Sequence, residues 1–284
     1  MNISRNGLTL QPQRGNLYPM TQTPASFIGQ LPRRALVRLT GEDWRSFLQG
    51  LITQDVETLR PGEIRFGALL SPQGRLLHDL FIVGLADGVW LDVEADQRAA
   101  LIQRLKLYKL RARVEVIADE TPVLAAFPDP EGPDWYRDPR LATLGSRGYG
   151  LIGSPGDVSE AYDAHRLSLG VSGPGDWGHD KTYPIEANFD LLSGIDFKKG
   201  CFVGQETTSR MKRRGVIKSR MLAVHLEGPL PPEGSEVLAG ELRAGEILTG
   251  LGTRAMALMR LDRIERPLTV NGQPARVEVP EWLS

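Results

Sequence analysis

The chain contains a single cysteine, Cys201, and the residues on either side of it have types that favour thiol chemistry. Two lysines precede the thiol, Gly200 and Gly204 flank it, and a glutamine and a glutamate follow. Nearby cations favour the thiolate, which is the form that attacks electrophiles and binds soft metals. Glycine permits backbone angles and close approaches that a side chain blocks. The pattern therefore predicts a reactive thiol in a shaped loop, against the alternative of a small buried core residue without chemistry.

The motif around this cysteine resembles the signature of one protein family. It reads K-G-C-F-V-G-Q-E and comprises Lys199, Gly200, Cys201, Phe202, Val203, Gly204, Gln205 and Glu206. Arg210 and the pair Arg214-Gly215 follow it. Together they resemble the folate-binding YgfZ proteins, whose mitochondrial relatives are the Iba57 proteins, and a weaker resemblance extends over residues 35–278. These proteins are similar in fold to the glycine-cleavage T-protein, a tetrahydrofolate-dependent aminomethyltransferase.

The resemblance implies a function in the maturation or repair of iron–sulfur proteins, and in bacteria in tRNA thiomethylation through an iron–sulfur enzyme. It implies tetrahydrofolate or a derivative as the cofactor, and iron–sulfur assembly or client proteins as partners. In this interpretation Cys201 acts as a transient iron ligand or nucleophile, and Lys199 stabilises its thiolate. Gln205 and Glu206 orient the loop by hydrogen bonds, and the two glycines shape it.

Two positions depart from the T-protein pattern. The stretch at 74–80, G-R-L-L-H-D-L, resembles the T-protein segment in which two adjacent acids follow a glycine turn and an aspartate is needed for aminomethyl transfer. His78 replaces the first acid, and only Asp79 remains. The run R-L-S-L-G at 166–170 resembles R-L-E-A-G, but Ser168 replaces the glutamate that contacts the pterin, and a hydroxyl usually makes fewer hydrogen bonds than a carboxylate. Both changes argue against aminomethyl transfer, although Asp79 is kept as the candidate catalytic acid.

A run of cations with a single acid extends from Lys198 to Arg220. Such a run is usually a solvated face, but it also suits the glutamate tail of a polyglutamyl folate, an iron–sulfur partner or tRNA. The predicted folate-binding residues are Arg166, Arg210, Lys212, Arg213 and Arg214. Aromatic residues for base stacking are missing after Phe202, so no direct contact with nucleic acid is expected.

Length and composition place the chain among soluble globular proteins. It has 284 residues, of which 41% are hydrophobic and 24% charged, and its formal net charge is -1. One cysteine excludes an internal disulfide and a cluster held by four thiolates of the same chain. No ligand-spaced histidine pair predicts a metal site, and no apolar run approaches the roughly 18 residues of a membrane helix. A cytoplasmic monomer without membrane contact is therefore expected.

The order of helical and strand patterns predicts an α+β fold. Apolar residues recur at helical spacing over 44–52, and short strands separated by tight turns follow, as in antiparallel hairpins. Beyond residue 216 short strands recur between turn signals, and Asn271-Gly272 is a strong hairpin signal, which indicates a small β-barrel. The resemblance implies that the domains form a cloverleaf around a central folate channel, as in the T-protein.

The predicted divisions of the chain follow from these patterns. They are a flexible N-terminal tail at 1–30, a first α+β domain at 31–118, a second α+β domain at 119–215 that includes the cysteine loop, and a C-terminal β-barrel domain at 216–284. Met20 offers a second plausible start, immediately before the first patterned segment.

Three functions stay open at this point. The leading hypothesis is a folate-binding accessory protein for iron–sulfur cluster assembly or repair, with Cys201 as its functional thiol. The alternative is a tetrahydrofolate-dependent aminomethyltransferase, or another one-carbon transferase or demethylase, with Asp79 catalytic. The third is an interaction module with an inert cysteine. Thiol reactivity, folate retention and turnover of methylated amines distinguish them.

Overall fold

The structure is a computed structural model that describes residues 26–150, 156–215 and 217–283. Its strands are β1 (Phe27–Gln30), β2 (Arg34–Thr40), β3 (Ile64–Leu70), β4 (Leu76–Gly84), β5 (Gly88–Glu94), β6 (Glu115–Asp119), β7 (Val123–Phe127), β8 (Trp135–Arg137), β9 (Ser146–Tyr149), β10 (Ser219–Leu226), β11 (Glu236–Ala239), β12 (Leu242–Leu251), β13 (Arg254–Arg260), β14 (Leu268–Val270) and β15 (Gln273–Glu278). Its α-helices are α1 (Trp44–Gln49), α2 (Arg98–Lys109), α3 (Ser159–Ser168), α4 (Pro174–Trp177) and α5 (Gln205–Arg214), with 3₁₀ turns at Ala95–Gln97, Ala142–Leu144 and Glu281–Leu283. The predicted α+β class is confirmed.

A five-stranded antiparallel sheet in the order β3-β4-β5-β2-β6 carries the first core. Strand β4 is buried along its whole length. Helices α1 and α2 cover one face, where Leu48 and Leu101 join Val37, Ile82 and Leu91 in one apolar cluster. Burying aliphatic side chains of this size contributes about 1.5–3 kcal/mol each, so this face holds the helices in place.

A second antiparallel sheet, in the order β1-β7-β9-β8, follows in the chain and carries α3 against it. Phe27 in β1 pairs with Phe127 in β7 and makes an edge contact with the Tyr162 ring of α3, with centroids 6.3 Å apart. The structure therefore differs from the predicted flexible tail at Phe27–Gln30, because these residues complete a sheet and bury an aromatic ring. The rest of that prediction, over residues 1–25, lies outside the described residues.

The C-terminal strands close into a barrel in the order β10-β13-β12-β11-β14-β15. Asn271 and Gly272 join β14 to β15 with φ values of 50° and 78°, which is the left-handed pair that a two-residue hairpin turn requires. The predicted hairpin and the predicted C-terminal barrel are both confirmed.

The segment between α3 and α5, which is irregular apart from α4, ties the first sheet to the barrel. Its aromatic residues Trp177, Phe189 and Phe202 pack with Phe66 of β3 and Met221 of β10 in one cluster, called the joining cluster below. None of the helices in the described ranges has the length and apolar character needed to cross a membrane.

Candidate functional site

Cys201 lies just before α5, and its side chain is exposed. The next residue, Phe202, is buried in the joining cluster. Phe202 therefore anchors the segment on the core while the thiol beside it stays open to solvent. This arrangement excludes the alternative of a buried core cysteine.

Lys199 attaches the cysteine segment to the loop that follows α1. Its side chain is buried, and Nζ donates hydrogen bonds to the carbonyl oxygens of Ile52 at 2.7 Å and Gln54 at 2.8 Å. Burial lowers the pKa of Lys199 to about 8, although nearby carboxylates, Asp55 first among them, oppose that shift. Among the described residues Lys199 makes no hydrogen bond to Cys201. Its role in the structure is therefore to position the loop, which differs from the implied role of stabilising the thiolate.

The two glycines of the motif have different structural requirements. Gly204 has φ +81°, and a Cβ there would lie 2.8 Å from the Ser71 carbonyl oxygen and 2.9 Å from Gly74 Cα, so only glycine fits this approach to the β3–β4 turn. Gly200 has no left-handed φ, and a Cβ there would meet no atom within 4 Å. Only one of the two glycines therefore shapes the loop.

The side chains that follow the cysteine do not orient it as expected. Glu206 is exposed in the first turn of α5, and Val203 and Gln205 are half-buried. Neither Gln205 nor Glu206 makes a side-chain hydrogen bond to any part of the chain that the structure describes. The backbone N–H of Gln205 donates instead to the Phe202 carbonyl oxygen at 3.2 Å, so backbone geometry holds the turn into the helix.

A cavity of about 620 Å³, called the central cavity, lies where the first sheet, α3, α4 and barrel strand β12 meet. Its apolar walls include Leu77, Leu167, Trp177 and Leu251. Its polar lining includes His78, Asp79, Glu94, Arg166 and His179. Cavities of roughly 300–1,000 Å³ with apolar walls and a few polar groups are typical small-molecule sites. Asp79 and Arg166, predicted separately from the sequence, are thus brought together here, whereas Cys201 is not part of the lining.

Asp79 reaches the central cavity already paired with a buried arginine. Arg34 Nη1 donates to both Asp79 carboxylate oxygens, at 3.0 and 3.1 Å, and both side chains are buried. Arg34 also donates to Asp92 at 2.6 Å and lies 3.5 Å from Glu94. A buried carboxylate whose two oxygens both accept from a guanidinium is a poor partner for a cationic substrate amine, because the amine would have to displace that pair. The geometry argues against Asp79 as a catalytic acid.

The ion pairs continue beyond the cavity wall and connect the two sheets. Asp92 accepts hydrogen bonds from Arg147 at 2.8 Å and from the Tyr149 hydroxyl at 3.0 Å. The Arg147 guanidinium stacks on the Phe81 ring, 3.5 Å from its centroid. These buried charges are matched by partners from both sheets, so they position the cavity wall.

His78 replaces a carboxylate and lies against the His179 ring, with centroids 5.8 Å apart. Its side chain is buried, and neither ring nitrogen has a hydrogen-bond partner within the described residues. Burial, with smaller contributions from His179 and Arg104, lowers the pKa of His78 to about 4. The imidazole is therefore neutral at pH 7 and lends no charge to the cavity.

Neighbouring hydrogen-bond acceptors hold the Arg166 side chain in place at the wall of the central cavity. Nε donates to Asp163 at 2.7 Å, and Nη1 donates to Asp176 at 3.0 Å and to the Val171 carbonyl at 3.1 Å. Nη2 has no partner within the described residues, which leaves a pre-positioned donor. Ser168, by contrast, donates to the His165 carbonyl at 2.7 Å and is not part of the lining.

The remaining predicted folate-binding residues lie elsewhere. Arg210 and Arg214 line a surface groove of about 300 Å³, called the basic groove. Its lining comprises Tyr183, Glu186, Thr207, Arg210, Met211, Arg214, Ile217, Lys218 and Ser219. Lys212 pairs with Asp190 at 3.6 Å, and Arg213 is exposed. None of the described residues lines both the central cavity and the basic groove, so the five predicted residues do not form one site.

Sequence patterns missed the residues that do most to build the central cavity. Glu94 ends β5 and Trp177 ends α4, far apart in the chain, yet both line it. Arg34 begins β2 and pairs with Asp79. An arginine at the start of an apolar strand is the one sequence signal of such a site, and it is too common to be specific.

Comparisons with known proteins agree with this architecture. Residues 218–284 match the family described as the CAF17 C-terminal beta-barrel domain. The chain resembles the glycine cleavage system aminomethyltransferase T from Bartonella henselae in structure, with a TM-score of 0.74 and 18% sequence identity, covering 90% of this chain and 86% of that one. The chain thus has a T-protein-like fold, as predicted.

The relatives found by sequence similarity identify the family more narrowly than the fold does. The chain is 32% identical to the iron-sulfur cluster assembly factor IBA57, mitochondrial, of Mus musculus, over 89% of this chain and 84% of that protein. It is 31% identical to the Homo sapiens protein of the same name, over 89% and 84%. A homolog from Aspergillus oryzae is 29% identical over 92% and 75%. The chain belongs to the IBA57 family.

The relatives also correct one expectation. The sequence was expected to belong to a cytoplasmic protein, because of its ordinary composition and its single cysteine. The relatives from mouse, human and Aspergillus oryzae are all named as mitochondrial proteins. The cytoplasmic prediction is therefore wrong, and the reason is that composition and a single thiol are compatible with either compartment.

Proposed function

We propose that this chain is a folate-binding accessory protein in the assembly or repair of iron–sulfur clusters, with Cys201 as the thiol that contacts iron or sulfur of the cluster in transit. The exposed thiol on a rigidly held loop is the observation that carries the proposal. Cys201 is the only cysteine in the chain, so a second thiolate ligand must come from the partner or from a small molecule. Iron–sulfur enzymes such as those that thiomethylate tRNA are the proposed clients.

The names of the relatives support the assembly function. Proteins about one third identical over most of their length are called iron-sulfur cluster assembly factors. The T-protein-like fold alone supports less, since the same fold hosts different chemistries. The function therefore rests on the relatives and on the thiol together.

Tetrahydrofolate or a derivative is the proposed ligand of the central cavity. The residues present fit a flat polar ring, because Trp177 and Leu167 offer apolar walls and Arg166 offers a free donor for a ring carbonyl. Glu94 lines the same cavity and accepts no side-chain hydrogen bond within the described residues, so its carboxyl group is the available acceptor in place of the glutamate that Ser168 replaces. When bound, a reduced folate supplies one-carbon or reducing chemistry. The chain's own residues bind and orient it.

Aminomethyl transfer is the disfavoured alternative. It needs a free carboxylate near the substrate amine, and Asp79 is instead paired with Arg34. His78 beside it is neutral at pH 7. Robust turnover of an aminomethyl donor by the wild-type protein would overturn the assembly proposal in favour of an enzyme.

Two experiments test the proposal. In cells that lack the protein, wild type is expected to restore iron–sulfur enzyme activity, and Cys201→Ser is expected to fail although its melting temperature stays near that of wild type. Gly200→Ala, a neighbouring change in open space, is the matched control and is expected to restore activity. Complementation by Cys201→Ser would disprove the role of the thiol.

Folate binding is tested by the melting curve. A ligand that prefers the native state raises the melting temperature with its concentration. Tetrahydrofolate is expected to stabilise wild type, and Arg166→Gln is expected to lose much of that shift. If saturating tetrahydrofolate neither shifts the wild-type curve nor gives heat in calorimetry, the folate part of the proposal fails while the thiol part stands.

A further inference from the structure

Helix α5 carries three arginines without a carboxylate partner in the part of the chain that the structure describes: Arg210, Arg213 and Arg214. Most arginines elsewhere in that part are paired, as Arg220 is with Asp190 at 2.9 Å. Cations in the last turn of a helix are stabilised by its dipole, which accounts for Arg213 and Arg214. It does not account for Arg210 in the middle of the helix. The unmatched charges of α5 are therefore available to a partner outside the chain.

The basic groove combines these charges with an apolar floor. Arg210, Arg214 and Lys218 are exposed along it, and Met211 and Ile217 are half-buried against the joining cluster. The one acid among the described residues that line it is Glu186, whose Oε2 accepts a hydrogen bond from the Tyr183 backbone N–H at 3.0 Å. A positively charged rim around an apolar floor is the surface that an acidic segment with an apolar anchor residue complements.

We propose that the basic groove docks an acidic segment of a protein partner, whose carboxylates pair with Arg210, Arg214 and Lys218 and whose apolar side chain contacts Met211 and Ile217. Guanidinium groups bind carboxylates in a bidentate manner, which gives the docking its orientation. The groove of about 300 Å³ accommodates one or two side chains, so it anchors a larger contact.

The aromatic rings near the groove argue for a protein and against a nucleic acid. Arg75 lies over the Tyr183 ring at 5.0 Å, and Lys212 lies over the Phe197 ring at 5.3 Å. These faces are covered, whereas single-stranded nucleic acids need open aromatic faces for stacking. The separation of the groove from the central cavity argues against the glutamate tail of a folate, because no described residue lines both.

A partner docked on the basic groove would lie close enough to reach Cys201. The thiol precedes α5 by four residues, and a helix of this length extends about 15 Å. A folded partner anchored on the groove spans that distance and brings its own ligands to the thiol. In this respect the inference rests on the proposed function, since the partner is then the protein that gives or receives the cluster.

The test uses a short fluorescein-labelled peptide of glutamates interrupted by leucines, with a control peptide in which glutamine replaces every glutamate. Fluorescence anisotropy with the full-length protein at low salt measures the binding of both peptides. Wild type is expected to bind the acidic peptide about tenfold more tightly than the glutamine peptide, and the preference weakens with added salt. Arg210→Glu with Arg214→Glu is expected to weaken acidic-peptide binding by about tenfold or more.

A matched double reversal at the end of α2, Lys106→Glu with Lys109→Glu, is the control and is expected to leave binding within about twofold of wild type. Arg210→Gln with Arg214→Gln serves if the reversal variant fails to fold. In cells lacking the protein, the α2 control is expected to restore iron–sulfur enzyme activity and the groove variants are not. Equal binding of the acidic peptide to wild type and groove variants overturns the proposal, as does no binding by wild type.

The binding of two competing ligands, polyglutamyl tetrahydrofolate and tRNA, is measured with the same variants. If the groove variants lose affinity for polyglutamyl tetrahydrofolate but not for the monoglutamyl form, the groove holds the folate tail and protein docking is overturned. If they lose tRNA binding and keep peptide binding, the groove is a nucleic-acid site. Retention of both the polyglutamyl and the monoglutamyl folate shifts by the groove variants, with loss of the peptide, supports the docking proposal. A wild-type protein that binds the peptide but no folate disproves only the folate part of the proposed function.

Discussion

Arg34 and Asp79 form a buried, two-oxygen ion pair at the wall of the central cavity, with Nη1 at 3.0 and 3.1 Å from the carboxylate oxygens. The two residues are 45 positions apart in the chain and meet because β2 and β4 both flank β5 in the first sheet. The acid that the sequence singled out for catalysis is therefore part of the structure of the cavity wall.

Replacing Arg34 is expected to lower the free energy of unfolding more than replacing Asp79. Arg34→Met leaves Asp79, Asp92 and Glu94 with one cation fewer among them, and breaking a buried pair in this way costs about 3–5 kcal/mol. Asp79→Asn is expected to cost less, because Arg34 keeps its bonds to Asp92. Urea unfolding of both variants measures the difference. Equal losses, or a larger loss for Asp79→Asn, would contradict the assigned network.

Lys199→Met is expected to impair function without removing the thiol. The change deletes the donors to the Ile52 and Gln54 carbonyls, and leaving a buried acceptor unpaired costs about 1–3 kcal/mol. The loop that carries Cys201 loses its attachment, so amide hydrogen exchange in this segment is expected to speed up. Lys198→Met, an exposed neighbour of the same type, is the control. Unchanged exchange in the Lys199 variant would show that Lys199 does not position the loop.

Gly204→Ala is expected to destabilise the protein, whereas Gly200→Ala is expected to be neutral. At Gly204 a Cβ would approach the Ser71 carbonyl oxygen to 2.8 Å, and the backbone is left-handed. Such positions cost at least about 1 kcal/mol when a side chain is added. Thermal unfolding of the two alanine variants makes the comparison directly. The prediction fails if both variants have the same melting temperature as wild type.

His78 is expected to make stability depend on pH between about 6.5 and 4. Its pKa is about 4 in the folded protein and close to 6.5 in the unfolded chain, so the unfolded state binds more protons in this interval. The free energy of unfolding therefore falls as the pH falls from 6.5 to 4 and loses nothing through this group above 6.5. His78→Phe removes the titrating group. Chemical unfolding of both proteins at pH 7 and pH 4.5 is expected to show a smaller pH effect in the variant, and equal pH effects would disprove the burial of a neutral imidazole.

Local features of this protein followed from the sequence. The Asn271-Gly272 turn, the C-terminal barrel strands and the motif around Cys201 are all readable in short stretches, because turn angles, side-chain alternation and motif spacing are set by neighbouring residues. The α+β class followed from the order of those patterns. The resemblance carried by the motif supplied the family.

The tertiary structure alone decided which of these residues meet. It placed the Lys199 ammonium on the Ile52 and Gln54 carbonyls and paired Arg34 with Asp79. It also put Arg166 in a different cavity from Arg210 and Arg214, although the sequence analysis had assigned all three to folate binding. The physical reason is that the partner of a side chain depends on which distant segments pack against it and on which buried polar groups still need a partner. A local pattern of charge or spacing carries no information about either.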